Sequence, residues 1–214
     1  MKDTASERLR AFRARNRQYL ELGYDREAAF RGLVRQAGPL EGPALDVGTG
    51  KGLLARELAC LEMDVVSVDI SLDERELACL LARESDVAER IVFAQADAAR
   101  LPYPDGHFGC AAMMDVLHHL EEPGPVLSEM VRLVRPGGRL LVADFDEAGF
   151  EMVARLSRQE GREHLRSAAT VTLAGEILTR AGLRCLMKTK GHHHEMVVLQ
   201  KERPEDRHGE GDQN

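Results

Sequence analysis

The fold is decided by residues 44–52, which read ALDVGTGKG. A short apolar run at 44–47, typical of a buried strand, leads directly into a turn with glycine at every second position: Gly48, Gly50 and Gly52. Glycine lacks a Cβ atom and tolerates positive φ, so the backbone of this turn can approach a ligand closely. The helix predicted to follow would add free N–H groups and a partial positive charge. The stretch therefore predicts a strand, turn and helix that bind a nucleotide-like ligand.

The spacing around this turn separates the main classes of nucleotide site. A phosphate-binding P-loop would need glycine at position 45 and serine or threonine at position 52, where the chain has Leu45 and Gly52. The dinucleotide fingerprint would need its third glycine at position 53, which is Leu53, and the chain lacks the Tyr-x-x-x-Lys pair of short-chain reductases. The P-loop is therefore excluded and hydride transfer is disfavoured.

Apolar runs and helical patterns alternate along the chain after this turn. Strands are predicted at 44–47, 64–69, 91–95, 108–114 and 139–144, with helices near 51–61, 72–86 and 123–134. The third of these helices should stop at the turn signal Arg135-Pro136-Gly137-Gly138. This alternation predicts an α/β fold in which helices cover both faces of a parallel, doubly wound sheet.

The last part of the domain follows a different pattern. Helices are predicted near 147–165 and 172–181, with Thr170 or Thr172 as the cap of the second, and strands at 183–190 and 193–200. Those two strands are too close in sequence for a crossover helix, so they should pair as an antiparallel hairpin. The sheet should then have seven strands, one of them reversed.

The two ends of the chain differ from this central region. Residues 5–22 predict an amphipathic helix, and Asp25 is placed to cap a second helix at 26–37. The first helix could be a packed cover, a mobile lid or, through Arg10, Arg13 and Arg17 on one side, a site for an anionic partner. We therefore divide the chain into a helical cap or lid at 1–37, a main domain at 38–201 and a disordered tail at 202–214.

Composition narrows the class of protein. The 214 residues suit one domain, no stretch is apolar enough to span a membrane, and the N-terminus lacks the apolar run of a secretory signal, so we expect a cytoplasmic location. A net charge of −7 makes broad nucleic-acid binding unlikely. The four scattered cysteines are expected to be reduced and buried. The chain carries no heptad pattern from which an oligomeric state could be predicted.

Two aspartates mark the ends of the second and third predicted strands. Asp69 closes the second strand about twenty residues after the first glycine, where a carboxylate can accept hydrogen bonds from the hydroxyls of a ribose. Asp97 follows the third strand, where it could accept a hydrogen bond from an adenine amine. Helix or turn capping is the alternative role for each.

These features together resemble the class I S-adenosylmethionine (SAM)-dependent methyltransferases, over about residues 40–145. In particular, they resemble the small-molecule group typified by ubiquinone and menaquinone biosynthetic enzymes, the type 11 methyltransferase domain. The matching motifs are DVGTGKG at 46–52, Asp69, Asp97-Ala98, LPYPDGHFG at 101–109, DVLHHL at 115–120 and LVRPGG at 133–138. The resemblance implies a Rossmann-like sheet of seven strands with the last one antiparallel, which agrees with the predicted hairpin.

The resemblance also implies roles for individual residues toward the cofactor, SAM. The methionine end would be held by Asp46 and by the loop that contains Gly48, Thr49, Gly50 and Gly52. Asp69 and Ile70 would bind the ribose side, Asp97 and Ala98 would bind the adenine, and Asp115 would lie beneath the sulfonium.

Catalysis and acceptor binding are predicted from residues beyond the fourth strand. Methyl transfer from a sulfonium is an in-line displacement that requires mainly positioning, and His118 or His119 could serve as a general base. Tyr24 could cover the cofactor or line the acceptor site. Adjacent side chains on a strand point to opposite faces, so the run His192-His193-His194 is not expected to bind a metal.

The acceptor is predicted to be a small organic molecule that is methylated on O, N or C. The chain lacks the Asn-Pro-Pro-Tyr motif of amino-methyltransferases and the Pro-Cys nucleophile of cytosine C5 enzymes. The predicted acceptor region, 145–172 together with the first helix, is rich in basic residues, which leaves an anionic acceptor open. Two alternatives remain: a non-catalytic SAM- or nucleoside-binding regulatory module, and an RNA methyltransferase.

Overall fold

The computed structural model describes residues 5–71 and 73–203. The helices are α1 (Ala5–Glu21), α2 (Arg26–Gln36), α3 (Leu53–Ala59), α4 (Arg75–Glu84), α5 (Pro123–Leu133), α6 (Glu147–Gln159) and α7 (Val171–Arg180). The strands are β1 (Ala44–Val47), β2 (Val65–Asp69), β3 (Ile91–Gln95), β4 (Phe108–Met114), β5 (Val134–Phe145), β6 (Leu183–Gly191) and β7 (His194–Lys201). Residues 204–214, most of the tail predicted to be disordered, lie outside the described residues.

These seven strands form one sheet in the order β3-β2-β1-β4-β5-β7-β6. Neighbouring strands are parallel except at β7, which lies between β5 and β6 and is antiparallel to both. The prediction of a doubly wound, seven-stranded sheet with one reversed strand is therefore confirmed. The winding changes direction between β1 and β4, and ligands of open α/β sheets bind in the crevice outside the carboxyl ends of the strands at such a switch point.

The helix caps follow the local sequence. The Asp25 side chain accepts a hydrogen bond from the Ala28 N–H at the start of α2, and Thr170 does the same for the Leu173 N–H at the start of α7. Both caps satisfy an N–H group that has no partner inside the helix. The capping role predicted for Asp25 is confirmed, and Thr170 is the cap of the two threonines considered.

Helix α5 ends at Leu133, as the turn signal predicted, and the segment Arg135-Pro136-Gly137-Gly138 lies within the bounds of β5 as a bulge. The register with β4 steps from Val134 opposite Phe108 to Arg139 opposite Cys110, so these four residues have no partner in β4. Two other predictions are wrong. Helix α6 ends at Gln159 instead of residue 165, since Gly161 adopts a φ of +69° that terminates the helix. His192 and His193 form the two-residue turn of the β6–β7 hairpin, with φ of 54° and 61°, as a type I′ turn requires.

The apolar core lies on both faces of the sheet. Side chains of α1 to α4 pack on one face, and those of α5 and α7 pack on the other. A third cluster joins Tyr19 of α1 and Tyr24 to Phe145 and the buried side of α6. Phe12 and Tyr19 are each only 4% exposed, so α1 is packed into the domain along its apolar side.

Two further expectations can be compared with the structure. All four cysteines are free, but Cys60 and Cys185 are exposed and Cys79 is half-buried, so the prediction of burial is correct only for Cys110. Cys60 directly follows α3, and Cys185 lies on the edge strand β6, where apolar neighbours in sequence do not ensure burial. Within residues 5–71 and 73–203, no helix is long and apolar enough to cross a membrane.

Candidate active site

A cavity of about 770 Å³ opens at the carboxyl ends of the central strands, where the sheet reverses its winding. Ten of the predicted site residues line it: Gly48, Thr49, Gly50, Asp69, Ile70, Asp97, Ala98, Asp115, His118 and His119. Asp46, Gly52 and Tyr24 are not among the lining residues. The cavity therefore joins the predicted cofactor residues and the two candidate bases in one space.

Each of the three glycines in the glycine-rich turn occupies a different environment. Gly48 has a φ of +86°, and a Cβ atom there would lie 2.1 Å from Val116 Cγ2. Gly52 has a φ of +72° and packs against Ala78 of α4. Gly50, with a φ of +46°, would have no heavy atom within 4 Å of an added Cβ. Gly50 is thus the glycine of the three whose missing side chain leaves space open for a ligand.

The Asp69 carboxylate links the end of β2 to this turn. Its Oδ2 accepts a hydrogen bond from the Gly50 N–H at 3.0 Å, and its Oδ1 accepts one from the Ser71 N–H at 3.0 Å. Each carboxylate oxygen has a second lone pair, so both can accept a further hydrogen bond. Asp69 is therefore held in place and still able to bind the two hydroxyls of a ribose.

Asp97 and Ile70, which line the cavity near Asp69, suit the adenine of a nucleoside. Asp97 is oriented by the Ala99 N–H, which donates to Oδ1 at 2.9 Å. Ile70 is 76% exposed and lines the cavity beside Asp69, so it offers an apolar surface to a flat ring. These residues fit the adenosine part of SAM, although their contacts with it stay predictions.

Asp46 is completely buried beneath the glycine-rich turn. Its Oδ2 accepts a hydrogen bond from Ser67 Oγ at 2.7 Å, and Ser67 Oγ lies 2.6 Å from Thr49 Oγ1. Burial raises the pKa of Asp46 from 3.8 to about 7, although the bond from Ser67 opposes the shift. This chain of side chains attaches the turn to β1 and β2, so Asp46 supports the loop from below.

Replacing Asp46 should change how stability depends on pH. Between pH 3.8 and about 7, the folded state keeps the Asp46 proton while the unfolded state releases it. As the pH rises through this range, the wild type should therefore lose about 1.4 kcal/mol of unfolding free energy per pH unit. Asp46→Asn should remove this slope, and Asp64→Asn, at an 82% exposed side chain, should keep it. Urea denaturation from pH 4.5 to 8 measures the slope; parallel curves for the wild type and Asp46→Asn would contradict the prediction.

Asp115 forms a pair with His194 that sequence analysis missed. Asp115 follows β4 with a φ of +58°, and its Oδ1 lies 2.8 Å from Nε2 of the fully buried His194. His194 Nδ1 lies 2.7 Å from the His192 carbonyl oxygen, which can only accept, so Nδ1 carries a proton. Burial lowers the pKa of His194, but the Asp115 carboxylate and these hydrogen bonds outweigh it and raise the pKa. The pair fixes Asp115, whose Oδ2 is buried without a hydrogen-bond partner among the described residues.

His118 is held by a second buried carboxylate. Its Nδ1 lies 2.7 Å from Asp144 Oδ1, and its backbone N–H donates to Asp144 Oδ2 at 2.8 Å. Both side chains are less than 5% exposed. A carboxylate accepts from Nδ1–H, so this contact fixes the tautomer in which Nε2 has a free lone pair. The geometry therefore gives His118 the arrangement of an oriented base.

Two more histidine rings lie beside His118. The ring centroids of His119 and His164 are 4.0 Å and 5.0 Å from that of His118. Burial lowers the pKa of both, and the neighbouring His118 lowers it further. His164 lies in the predicted acceptor region, and its Nε2 is buried without a hydrogen-bond partner among the described residues.

The described residues were also compared with the prediction for the histidine run. Within the described part of the chain, no group of three or more His, Cys, Asp or Glu side chains is placed to hold a metal ion. His192 and His193 lie in the hairpin turn, so the strand geometry assumed for the histidine run was wrong.

Tyr24 is 1% exposed, and its ring lies 5.5 Å from the Tyr19 ring and 6.2 Å from the Phe145 ring. Tyr24 thus supports Tyr19, which lines the cavity.

Comparison with known proteins is consistent with this site. The profile of a family described as "Methyltransferase domain" matches residues 45–142. The 27-O-demethylrifamycin SV methyltransferase of Amycolatopsis mediterranei is 36% identical over 142 residues, covering 58% of this chain and 52% of that protein. The ubiquinone/menaquinone biosynthesis C-methyltransferase of Ectopseudomonas mendocina is 31% identical over 138 residues, covering 63% and 52%. The aligned part of the chain spans about half the length of these relatives.

A solved structure shows the same fold. The SAM-dependent methyltransferase from Aquifex aeolicus superposes with a TM-score of 0.65 at 21% identity, covering 92% of this chain and 98% of that one. The matched profile includes the glycine-rich turn, Asp69, Asp97 and the two candidate bases. The resemblance predicted from the motifs is confirmed. Residues 45–142 are thus similar to methyltransferase domains, and the chain has a fold shared with a solved SAM-dependent methyltransferase.

Proposed function

We propose that this protein is a SAM-dependent methyltransferase that acts on a small organic acceptor. The observation that carries the proposal is that one cavity is lined both by the glycine-rich turn with Asp69 and by the oriented His118. An adenosyl group bound at Asp69 would then share this cavity with a base. The methyltransferase relatives support the same reading, because both are named for reactions on small molecules.

The chain's own residues divide the work of binding the cofactor. Asp69 would accept hydrogen bonds from the ribose hydroxyls, Asp97 and Ala98 would contact the adenine, and the backbone at Gly48 and Gly50 would lie along the methionine end. Asp115, held by His194, would place its free oxygen beside the sulfonium. When bound, SAM supplies a methyl group that is already activated by the positive sulfur, so positioning of the acceptor is the main requirement.

His118 would prepare the acceptor. With Nδ1 held by Asp144, the Nε2 lone pair could take the proton of a hydroxyl or amine as the methyl group is transferred. The imidazolium that forms would be stabilised by the buried carboxylate. We therefore favour an acceptor with an ionisable hydroxyl or amine, so that O- or N-methylation is preferred over C-methylation.

Helix α1 would close the acceptor side of the cavity. Arg15 and Tyr19 line the cavity, while Phe12 packs into the apolar core. The helix is thus a wall of the site, and opening of residues 1–37 as a lid stays a prediction.

An acceptor screen tests the proposed function. The protein would be incubated with methyl-labelled SAM and a library of phenols, amines and carboxylic acids, and incorporation into small-molecule products would be measured. Transfer to a small molecule supports the proposal. Binding of S-adenosylhomocysteine without transfer to any acceptor would favour the regulatory module, and label recovered in RNA would favour the RNA methyltransferase.

A further inference from the structure

Three arginines from separate parts of the chain converge on the cavity. Arg15 comes from α1, Arg26 is the first residue of α2, and Arg162 follows α6. All three line the same cavity as the glycine-rich turn and His118. We call these residues the arginine cluster. None of them belongs to the motifs on which the family resemblance rests.

The arginine cluster is held in place by shared neighbours. The guanidinium groups of Arg15 and Arg162 both donate to Glu160 Oε2. The guanidinium carbons of Arg15 and Arg26 lie 5.5 Å and 5.2 Å from the centre of the Tyr19 ring. Cation–π contacts and a shared carboxylate restrict the three side chains before any ligand binds.

The charges of the cluster are not balanced. Arg15 and Arg162 share one carboxylate, and among the described residues Arg26 has no carboxylate within 4.0 Å; its hydrogen bond is to the neutral Asn16 Oδ1. Glu163 also lines the cavity but makes no ion pair with the cluster. Burial lowers the pKa of Lys51 on the glycine-rich turn, and the positive charges of Arg26, Arg15 and Arg162 contribute to the same shift. Asp69, Asp97 and Asp115 also line the cavity, but none of them forms an ion pair with the cluster, so one shared carboxylate faces three guanidinium groups.

The cluster also lies close to the proposed base. Arg15 Nη2 lies 3.5 Å from Ser157 Oγ on α6, and Arg15 is among the charges that lower the pKa of His164, after burial and the two neighbouring histidines. The His164 ring is 5.0 Å from the His118 ring. The cluster and His118 line the same cavity, so one molecule in it could contact both.

We infer that the methyl acceptor carries a carboxylate, which the arginine cluster binds while His118 faces its hydroxyl or amine. This inference rests on the proposed function. Guanidinium groups bind carboxylates through paired, charge-assisted hydrogen bonds, so a carboxylate would be anchored and oriented by them. The methionine end of the cofactor also carries a carboxylate, and it is the other source of the same chemistry.

The test compares acid and amide probes on the full-length protein. Protein saturated with S-adenosylhomocysteine would be titrated with 3-hydroxybenzoate and with 3-hydroxybenzamide by calorimetry. We expect the acid to bind at least about tenfold more tightly than the amide, since one charge-assisted hydrogen bond accounts for such a factor. Arg26→Gln and Arg162→Gln should each remove most of this preference. Arg17→Gln, on the exposed side of α1 and outside the cavity lining, should retain it.

Several results would overturn the inference. Equal binding of acid and amide to the wild type, absence of binding by either, or an acid preference that survives in both variants would each do so. Cofactor binding separates the two sources of carboxylate: if Arg26→Gln weakens S-adenosylhomocysteine tenfold but leaves 5′-methylthioadenosine unchanged, the cluster serves the cofactor instead. If the proposed function itself is wrong, the wild type would bind neither S-adenosylhomocysteine nor 5′-methylthioadenosine.

Discussion

Asp69→Ala should weaken the binding of S-adenosylhomocysteine by about a hundredfold. The Asp69 carboxylate is fixed by the Gly50 and Ser71 N–H groups and can accept two more hydrogen bonds. Each such charge-assisted bond is worth about 1.5 to 3 kcal/mol, and the loss of two corresponds to at least about two orders of magnitude. The alanine variant would also release Gly50, so the turn would lose part of its fixed shape. Calorimetric titration of the full-length protein measures the effect.

Asp64 offers a matched control for this change. It precedes β2 at the amino end of the strand, whereas Asp69 closes the carboxyl end, and its side chain is 82% exposed. Asp64→Ala should bind S-adenosylhomocysteine like the wild type. Equal weakening in both variants would indicate a general loss of stability, and unchanged affinity in Asp69→Ala would remove the ribose contact from the proposed site.

The fold was largely predictable because its signals are local. The run of 44–52 contains both the strand and the positive-φ glycines that turn it, and the alternation of apolar runs with helices sets the layers. The short interval before the last strand predicted the antiparallel hairpin correctly. Boundaries were less predictable: α6 ends at Gln159 and not at residue 165, and β5 begins at Val134, ahead of an unpaired bulge at 135–138.

The buried pairs of the site could not be predicted in the same way. Asp115 and His194 are separated by 79 residues. They meet because β4 and β7 lie on either side of β5, so that the end of β4 and the start of β7 are at the same edge of the sheet. The sequence patterns used for prediction do not specify which strand lies beside which. For the second buried pair, His118 and Asp144, the sequence contained one signal. Asp144 ends the apolar run 140–143, and a carboxylate in a buried strand requires a partner. That partner is His118.

The arginines show the same limit of sequence reasoning. Arg10, Arg13 and Arg17 were the residues of α1 considered for an anionic ligand, because they share one side of the helix. In the structure Arg13 pairs with Glu84, and Arg15 is the arginine of α1 that turns toward the cavity. Helical periodicity identified the basic character of α1, but the direction of each side chain depends on how Phe12 and Tyr19 pack.

The second large effect concerns His118 and Asp144. With an acceptor identified by the screen, His118→Ala should lower the rate of methyl transfer by about 10²- to 10⁴-fold, which is the range for loss of a general base. Asp144→Asn should give a loss of similar size, because an amide at this position no longer stabilises the imidazolium or fixes its tautomer. The affinity for S-adenosylhomocysteine should stay within about twofold in both variants if neither residue holds the cofactor. Single-turnover rates and calorimetry separate these two quantities.

Position distinguishes a base from a packing residue. His107 precedes β4 at the amino end of the strand, opposite the cavity, so His107→Ala should keep the wild-type rate. His119, which has no carboxylate partner within 4.0 Å in the described chain, should matter less than His118. A larger loss in His119→Ala would move the role of base to that residue, whereas an unchanged rate in His118→Ala would mean that the acceptor loses its proton without help from His118.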